Sequence, residues 1–275
     1  MRKGIKKLLI VLLVTGVLLA GYFLFFRKKA DPEPSKSPAE NNQVNQNQQE
    51  EAKSPGTENQ AYEKSAEPVE ENNALKIPEK FLLDIPFYSQ APLSKWDAFH
   101  EDMCEEASIL NATLYLEGKK LTKEQFEAEL QKMQPAEKKE IGEWKSTTIA
   151  QTKKFVDTYF EGKIKSKIIE NPTIEQIEAE IAAGLSAGAS AEAGNPVIVP
   201  LSGRDIGNPN FTPPGPVYHM LVIKGYDSQN FITNDVGTRK GNSYTYRKEV
   251  IMKNMHDWNE KDIHLGSRRI LVLSK

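Results

Sequence analysis

Cysteine occurs once in the 275 residues, at Cys104, and histidine four times, at His100, His219, His256 and His264. A single thiol excludes an internal disulfide and a structural zinc site built on cysteines. The histidines show no HExxH or other close metal spacing, so neither a metal nor another cofactor is expected. What one cysteine and one well-placed histidine can do is nucleophilic catalysis, in which the imidazole takes the thiol proton and the thiolate attacks a carbonyl. Cys104 lies in Asp102-Met103-Cys104-Glu105-Glu106-Ala107, and Met103, Ala107, Leu110 and Leu114 recur at helical spacing. That puts Cys104 in the first turn of a helix, where unsatisfied N–H groups favour the thiolate. Glu105 and Glu106 also suit a helix start, but their charge opposes the thiolate. A small buried core residue is the other reading of the same position.

His219 opens the apolar run His219-Met220-Leu221-Val222-Ile223, just after a Gly/Pro-rich stretch from Gly203 to Pro216. This placement suits a base at the edge of a cleft, or a hydrogen-bonded structural histidine. A third residue that orients the imidazole usually comes from a neighbouring strand, and Asp235 ends the next apolar run, with Asn234 as the alternative. A plain hairpin turning at Asp227–Asn230 pairs Tyr226 with Phe231, and so Asp235 with Val222. That leaves Asp235 three residues, roughly 10 Å, from His219, so a bulge or strong twist is required. Gln90 precedes the nucleophile in Tyr88-Ser89-Gln90-Ala91-Pro92, and its amide can donate to a developing oxyanion beside the backbone N–H of Cys104.

The elements that must position these residues follow from periodicity and turn chemistry. Strands are expected over Phe81–Tyr88, Lys163–Glu170, Val197–Leu201, Val217–Tyr226, Phe231–Asn234, Tyr244–Tyr246 and Arg269–Leu273. Helices are expected over Cys104–Leu116, Thr122–Met133, Ser146–Phe160, Thr173–Ala183 and Glu249–Trp258. Thr122 serves as an N-cap, and Thr173 with Gln176 forms a capping-box signal. Helices come first and strands mostly later, which predicts an α+β fold in which N-terminal helices pack on a C-terminal antiparallel sheet.

Ahead of this domain the composition changes twice. Leu8–Phe26 is an uncharged run of nineteen residues between Arg2, Lys3, Lys6, Lys7 and Arg27, Lys28, Lys29, near the ~20 needed to span a bilayer. Residues 1–29 therefore read as an uncleaved signal anchor, with the slight excess of positive charge favouring the N-terminus inside and the C-terminal domain outside. Residues 30–76 read as a disordered acidic linker, with ten Asp and Glu against three Lys between Ala30 and Ala74. Residues 77–275 form the globular domain. The formal net charge of −2 gives no footing for nucleic acid as a partner.

Taken together, Ile85-Pro86-Phe87-Tyr88-Ser89-Gln90, Met103–Leu116, Tyr218–Asp227 and Phe231–Gly237 resemble the peptidases that cut double-glycine leaders of bacteriocins. The likeness is closer still to the stand-alone, membrane-anchored relatives of that papain-superfamily group in bacterial surface proteins. The resemblance spans nearly all of the domain and implies a papain-like cysteine peptidase fold. It also implies Cys104 as nucleophile, His219 as base, Asp235 as orienter and Gln90 as oxyanion donor. Two features depart from the group: Glu105-Glu106 replaces the Gly-Pro or Gly-Ala often found after the cysteine, and the spacer from Gln90 to Cys104 is long. The expected function is that of an extracytoplasmic thiol hydrolase acting on a peptide or cell-wall peptide. An inactive peptide- or cell-wall-binding module on the same fold is the alternative, and acyl transfer to an amine is a third reading.

Overall fold

A computed structural model describes residues 77–142, 145–184 and 194–275; the expected membrane anchor and acidic linker lie outside the described residues. Among the described residues no helix is long and apolar enough to cross a membrane.

The fold is α+β. Helix α1 (Cys104–Glu117) is buried nearly all round, polar Glu105, Glu106, Ser108 and Asn111 included, so it is a central helix rather than an amphipathic surface one. It ends at Gly118, whose φ of 66° closes the helix in the left-handed region. Helices α2 (Lys123–Ile141), α3 (Ile149–Tyr159) and α4 (Ile174–Ile181) each begin with a full capping box, from Thr122/Gln125, Thr148/Gln151 and Thr173/Gln176. A short helix, α5 (Lys248–Asn254), follows late in the chain.

Strands β1 (Phe81–Leu82), β2 (Lys165–Glu170), β3 (Val197–Ser202), β4 (Tyr218–Tyr226), β5 (Asn230–Asn234), β6 (Tyr244–Arg247) and β7 (Arg269–Ser274) form one antiparallel sheet in the order β2-β7-β3-β4-β5-β6, with β1 also on β4. Strand β4 is buried along its whole length, as an apolar run without polar alternation demands, and α1 packs against it.

Three elements depart most from the sequence expectation, each for a local reason. Only Phe81–Leu82 of the first expected strand pairs with β4. Beyond it, Asn234 Nδ2 donates to the carbonyls of Ile85 (3.3 Å) and Pro86 (2.9 Å), while the Asn111 side chain bonds both Tyr88 N–H (2.8 Å) and Tyr88 C=O (2.9 Å). Side chains thus replace a strand ladder. Helix α2 runs past Met133 and through Pro135 to Ile141, so this proline is accommodated inside the helix rather than ending it. Helix α5 stops at Asn254 instead of Trp258 because Met255 bridges to Leu201 and His256 N–H donates to Pro200 C=O.

The hairpin of β4 and β5 contains the irregularity that matters most. Tyr226 pairs with Phe231 and Gly225 with Ile232, but Ile223 then pairs with Thr233 and Val222 with Asn234, so Lys224 is skipped. Its carbonyl is taken instead by Leu83 N–H at 2.8 Å. This one-residue bulge moves everything after Ile232 along by one position. Continuing the register places Asp235 opposite Leu221, two residues from His219 and on its face of the sheet. Without the bulge Asp235 would oppose Val222 and point to the other face.

Candidate active site

The imidazole of His219 and the carboxylate of Asp235 meet as that register requires, with His219 Nε2 2.9 Å from Asp235 Oδ1. Both side chains are buried. Asp235 is held by three further donors: Gly237 N–H on Oδ1 (3.1 Å), and Asn208 Nδ2 (2.8 Å) and Tyr246 O–H (2.6 Å) on Oδ2. Burial alone would raise the carboxyl pKa. The attraction of His219 and the hydrogen bonds from His219, Tyr246 and Asn208 outweigh it and hold the pKa below its ordinary value. Tyr246 is pushed the other way, first by burial and then by the Asp235 charge, so it remains a donor.

The imidazole is confined on its other sides. Phe211, from the loop between β3 and β4, meets the ring edge-on at 5.3 Å between centroids. Gly237 lies so close that a Cβ there would sit 2.8 Å from His219 Cε1, so this position has no room for a side chain. The Gly/Pro-rich loop therefore borders the imidazole through Phe211 and supports its carboxylate partner through Asn208.

Cys104 opens α1 beside the next residue of β4. The backbone N–H of Met220 donates to Cys104 Sγ at 3.4 Å, and Ser108, one helical turn on, donates to Met220 C=O at 3.2 Å. Both backbone groups of Met220 are free to turn toward α1 because its partner across the sheet is Pro200, which has no N–H and whose carbonyl accepts from His256. The thiol is 6% exposed. Its own hydrogen points to Glu105 Oε2, with Sγ donating at 2.9 Å. Burial, and then the charge and hydrogen bond of Glu105, push the thiol pKa well above its ordinary value, whereas the helix start was expected to lower it. The positive end of a helix is outweighed here by desolvation and an adjacent carboxylate.

Glu105 spans two elements, since its Oε1 accepts from Thr147 N–H at 3.0 Å, just ahead of α3. Burial and the neighbouring Glu106 push its carboxyl up to about 8. Glu106 is also raised, by burial and then by its hydrogen bond with and repulsion from Glu137.

Gln90 is buried and placed by its own N–H, which donates to Val236 C=O at 2.9 Å, one residue beyond Asp235. Its Nε2 donates to the carbonyls of His100 (2.7 Å) and Glu101 (3.2 Å), so both amide hydrogens brace the single turn His100–Asp102 that precedes Cys104. Service as an oxyanion donor requires release of one of them, and the Glu101 bond is the longer. Asn234, the alternative partner for His219, is committed to Ile85 and Pro86.

The structure thus brings Cys104, His219 and Asp235 to one end of β4, with Gln90 on the adjoining segment. Sequence reasoning missed Tyr246 and Asn208, whose type and spacing carried no signal. It also missed His100, which is gripped by Asp97 on Nδ1 (2.6 Å) and Glu127 on Nε2 (2.9 Å) and steadies the turn that Gln90 braces. Among the described residues no group of side chains has the make-up of a metal site.

A solved structure from Bacillus anthracis described as C39-like aligns at 16% identity and a TM-score of 0.46, over 72% of this chain and 98% of that one. No curated protein matches the chain. Residues 82–261 match the model of the Peptidase_C39 like family, a group of the cysteine-peptidase type within the papain superfamily. With well over half of its length in that match, the chain belongs to the Peptidase_C39 like family.

Proposed function

We propose that this chain is a thiol hydrolase that cleaves a peptide or amide bond through Cys104, His219 and Asp235, outside the membrane to which residues 1–29 anchor it. The observation that carries this reading is the buried His219–Asp235 pair. Its Nε2 is engaged by a carboxylate at 2.9 Å, and Nδ1 is left to serve a thiol that lies against the backbone of the very next residue.

In this mechanism His219 Nδ1 takes the Cys104 proton, and the Sγ electron pair attacks the carbonyl carbon. Asp235 steadies the imidazolium that forms. The Cys104 backbone N–H and the Gln90 amide, once Gln90 lets go of Glu101, receive the oxyanion. The C–N bond breaks as His219 returns the proton to the leaving amine. Water, deprotonated by His219, then splits the thioester and frees the thiol. The substrate class that suits an anchored extracytoplasmic domain is a peptide or cell-wall peptide.

A second reading has its own support in the raised thiol pKa and the engaged Gln90 amide, namely an inactive module that binds the same material. Mass spectrometry of Cys104 after incubation with peptide and cell-wall peptide libraries separates the two. An acyl adduct on Cys104, absent from His219→Ala, is expected. Binding without any adduct, together with iodoacetamide alkylation no faster than that of free cysteine and indifferent to His219→Ala, would leave the binding module as the better account.

A further inference from the structure

Glu105 is an odd neighbour for a nucleophile. It is buried, it follows Cys104 directly, and its Oε2 lies 2.9 Å from Sγ. No cation faces it. Its own helix presents Cys104 and Glu106, and Glu106 in turn faces Glu137 of α2 and Asp102, which is paired with Lys145 at 2.8 Å. Strand β4 presents Tyr218, whose hydroxyl reaches Asp257, 3.6 Å from Arg269, in the segment after α5. An ionised Glu105 would be a buried charge set directly beside another buried carboxyl, Glu106. Ionised, it also accepts the thiol hydrogen and so draws it away from His219.

The second contact of Glu105 shows which oxygen carries a proton when it is neutral. Thr147 N–H donates to Oε1 at 3.0 Å; a carbonyl oxygen is the better acceptor, so the proton of a neutral Glu105 is best placed on Oε2. That hydroxyl faces Sγ. Neutral Glu105 therefore reverses the bond: O–H points to sulfur, and the thiol hydrogen is free to turn to His219 Nδ1. Once the S–H bond has broken and the N–H bond has formed, the electron pair remains on Sγ. An ionised carboxylate beside that anion would repel it, whereas a carboxylic acid hydrogen-bonds it. We infer that Glu105 takes part in the reaction as a neutral acid, whose Oε2 hydroxyl donates to Cys104 Sγ and holds the thiolate after its proton has passed to His219. This role rests on the hydrolase reading above and deepens it. The glutamate after the cysteine is, on this account, part of the nucleophile's machinery.

The test uses the full-length protein in detergent, where Cys104 is the only cysteine and alkylation by iodoacetamide reports on it alone. Glu105→Gln keeps an acceptor for Thr147 and offers Sγ an N–H donor that cannot ionise. The alkylation rate of Glu105→Gln relative to wild type should be near one below pH ~7. It should rise to about tenfold at pH ~9, because a midpoint of about 8 leaves roughly a tenth of Glu105 neutral there. Glu105→Ala, which has no donor, should react more slowly than Glu105→Gln throughout. The unsubstituted protein gives a reading that needs no folded variant: its rate should flatten as pH rises through about 8, where a simple thiol's keeps climbing. A ratio that does not change with pH, a Gln variant slower than wild type, or an unbroken climb in the wild-type profile overturns the role of Glu105. If that happens while His219→Ala still slows alkylation, the hydrolase reading survives it; if His219→Ala changes nothing, both fall.

Discussion

Replacing Tyr246 by Phe removes one oxygen and leaves the ring in place, so it isolates the hydrogen bond at 2.6 Å to Asp235 Oδ2. The acceptor is an ionised carboxylate, and a hydrogen bond to a charged group contributes about 1.5–3 kcal/mol to stability. Asn208 Nδ2, which also donates to the Tyr246 oxygen at 2.8 Å, loses that acceptor in the same change. Because the site is buried and solvent does not step in, a loss of about 2 kcal/mol at neutral pH is expected. The assay is urea unfolding, with the midpoint lowered and the slope unchanged. The pH dependence gives the sharper check. Asp235 has a folded-state pKa below its unfolded value, so the stability it contributes is present above the unfolded pKa and is lost as pH falls through the folded pKa. The Tyr246→Phe deficit should therefore be full at neutral pH and shrink in acid toward the ~1 kcal/mol of a bond between neutral groups. A deficit under ~0.5 kcal/mol at neutral pH, or one of the same size in acid, would refute the idea that Tyr246 supports a charged Asp235.

Gln90→Ala should leave alkylation of Cys104 almost unchanged but lower turnover ~10²–10³-fold, as loss of one oxyanion donor does; equal turnover would confine Gln90 to bracing the His100–Asp102 turn. A chain trimmed to Leu75–Lys275 should unfold cooperatively at the same temperature as one that retains residues 30–74, as calorimetry can check, and a lowered midpoint would mean that the linker packs on the domain.

Much of this architecture was legible because its determinants are local. Thr122 and Thr173 announce helix starts through their own hydroxyls, and the apolar run after His219 can only be a buried strand. Thr148 with Gln151 carried the same signal, and the helix expected from Ser146 begins at Ile149 instead. Cys104, His219 and Asp235 could be named from type and order, but their meeting could not be derived, since it depends on a bulge. Gly225 beside Lys224 is the faint mark of that bulge, a residue that weakens a regular ladder. The shortened first strand was illegible for a different reason: Asn111 and Asn234, far along the chain, supply its hydrogen bonds. The thiol's partner was hidden similarly, because only burial turns the residue after Cys104 back toward it.

The burial of Cys104 also bears on how long the protein lasts. Peroxide and other oxidants attack the thiolate, climbing from sulfenic to irreversible sulfinic and sulfonic acids, and susceptibility follows thiolate character and exposure. Cys104 is nearly closed to solvent, with its sulfur 2.9 Å from Glu105 Oε2, and it is the only cysteine of the chain, so no second thiol of its own can repair it. A sulfur kept protonated until a substrate is at hand is spent on acylation rather than on oxidation. The closed packing around Cys104 thus acts as a preservative for the single atom on which the chemistry depends.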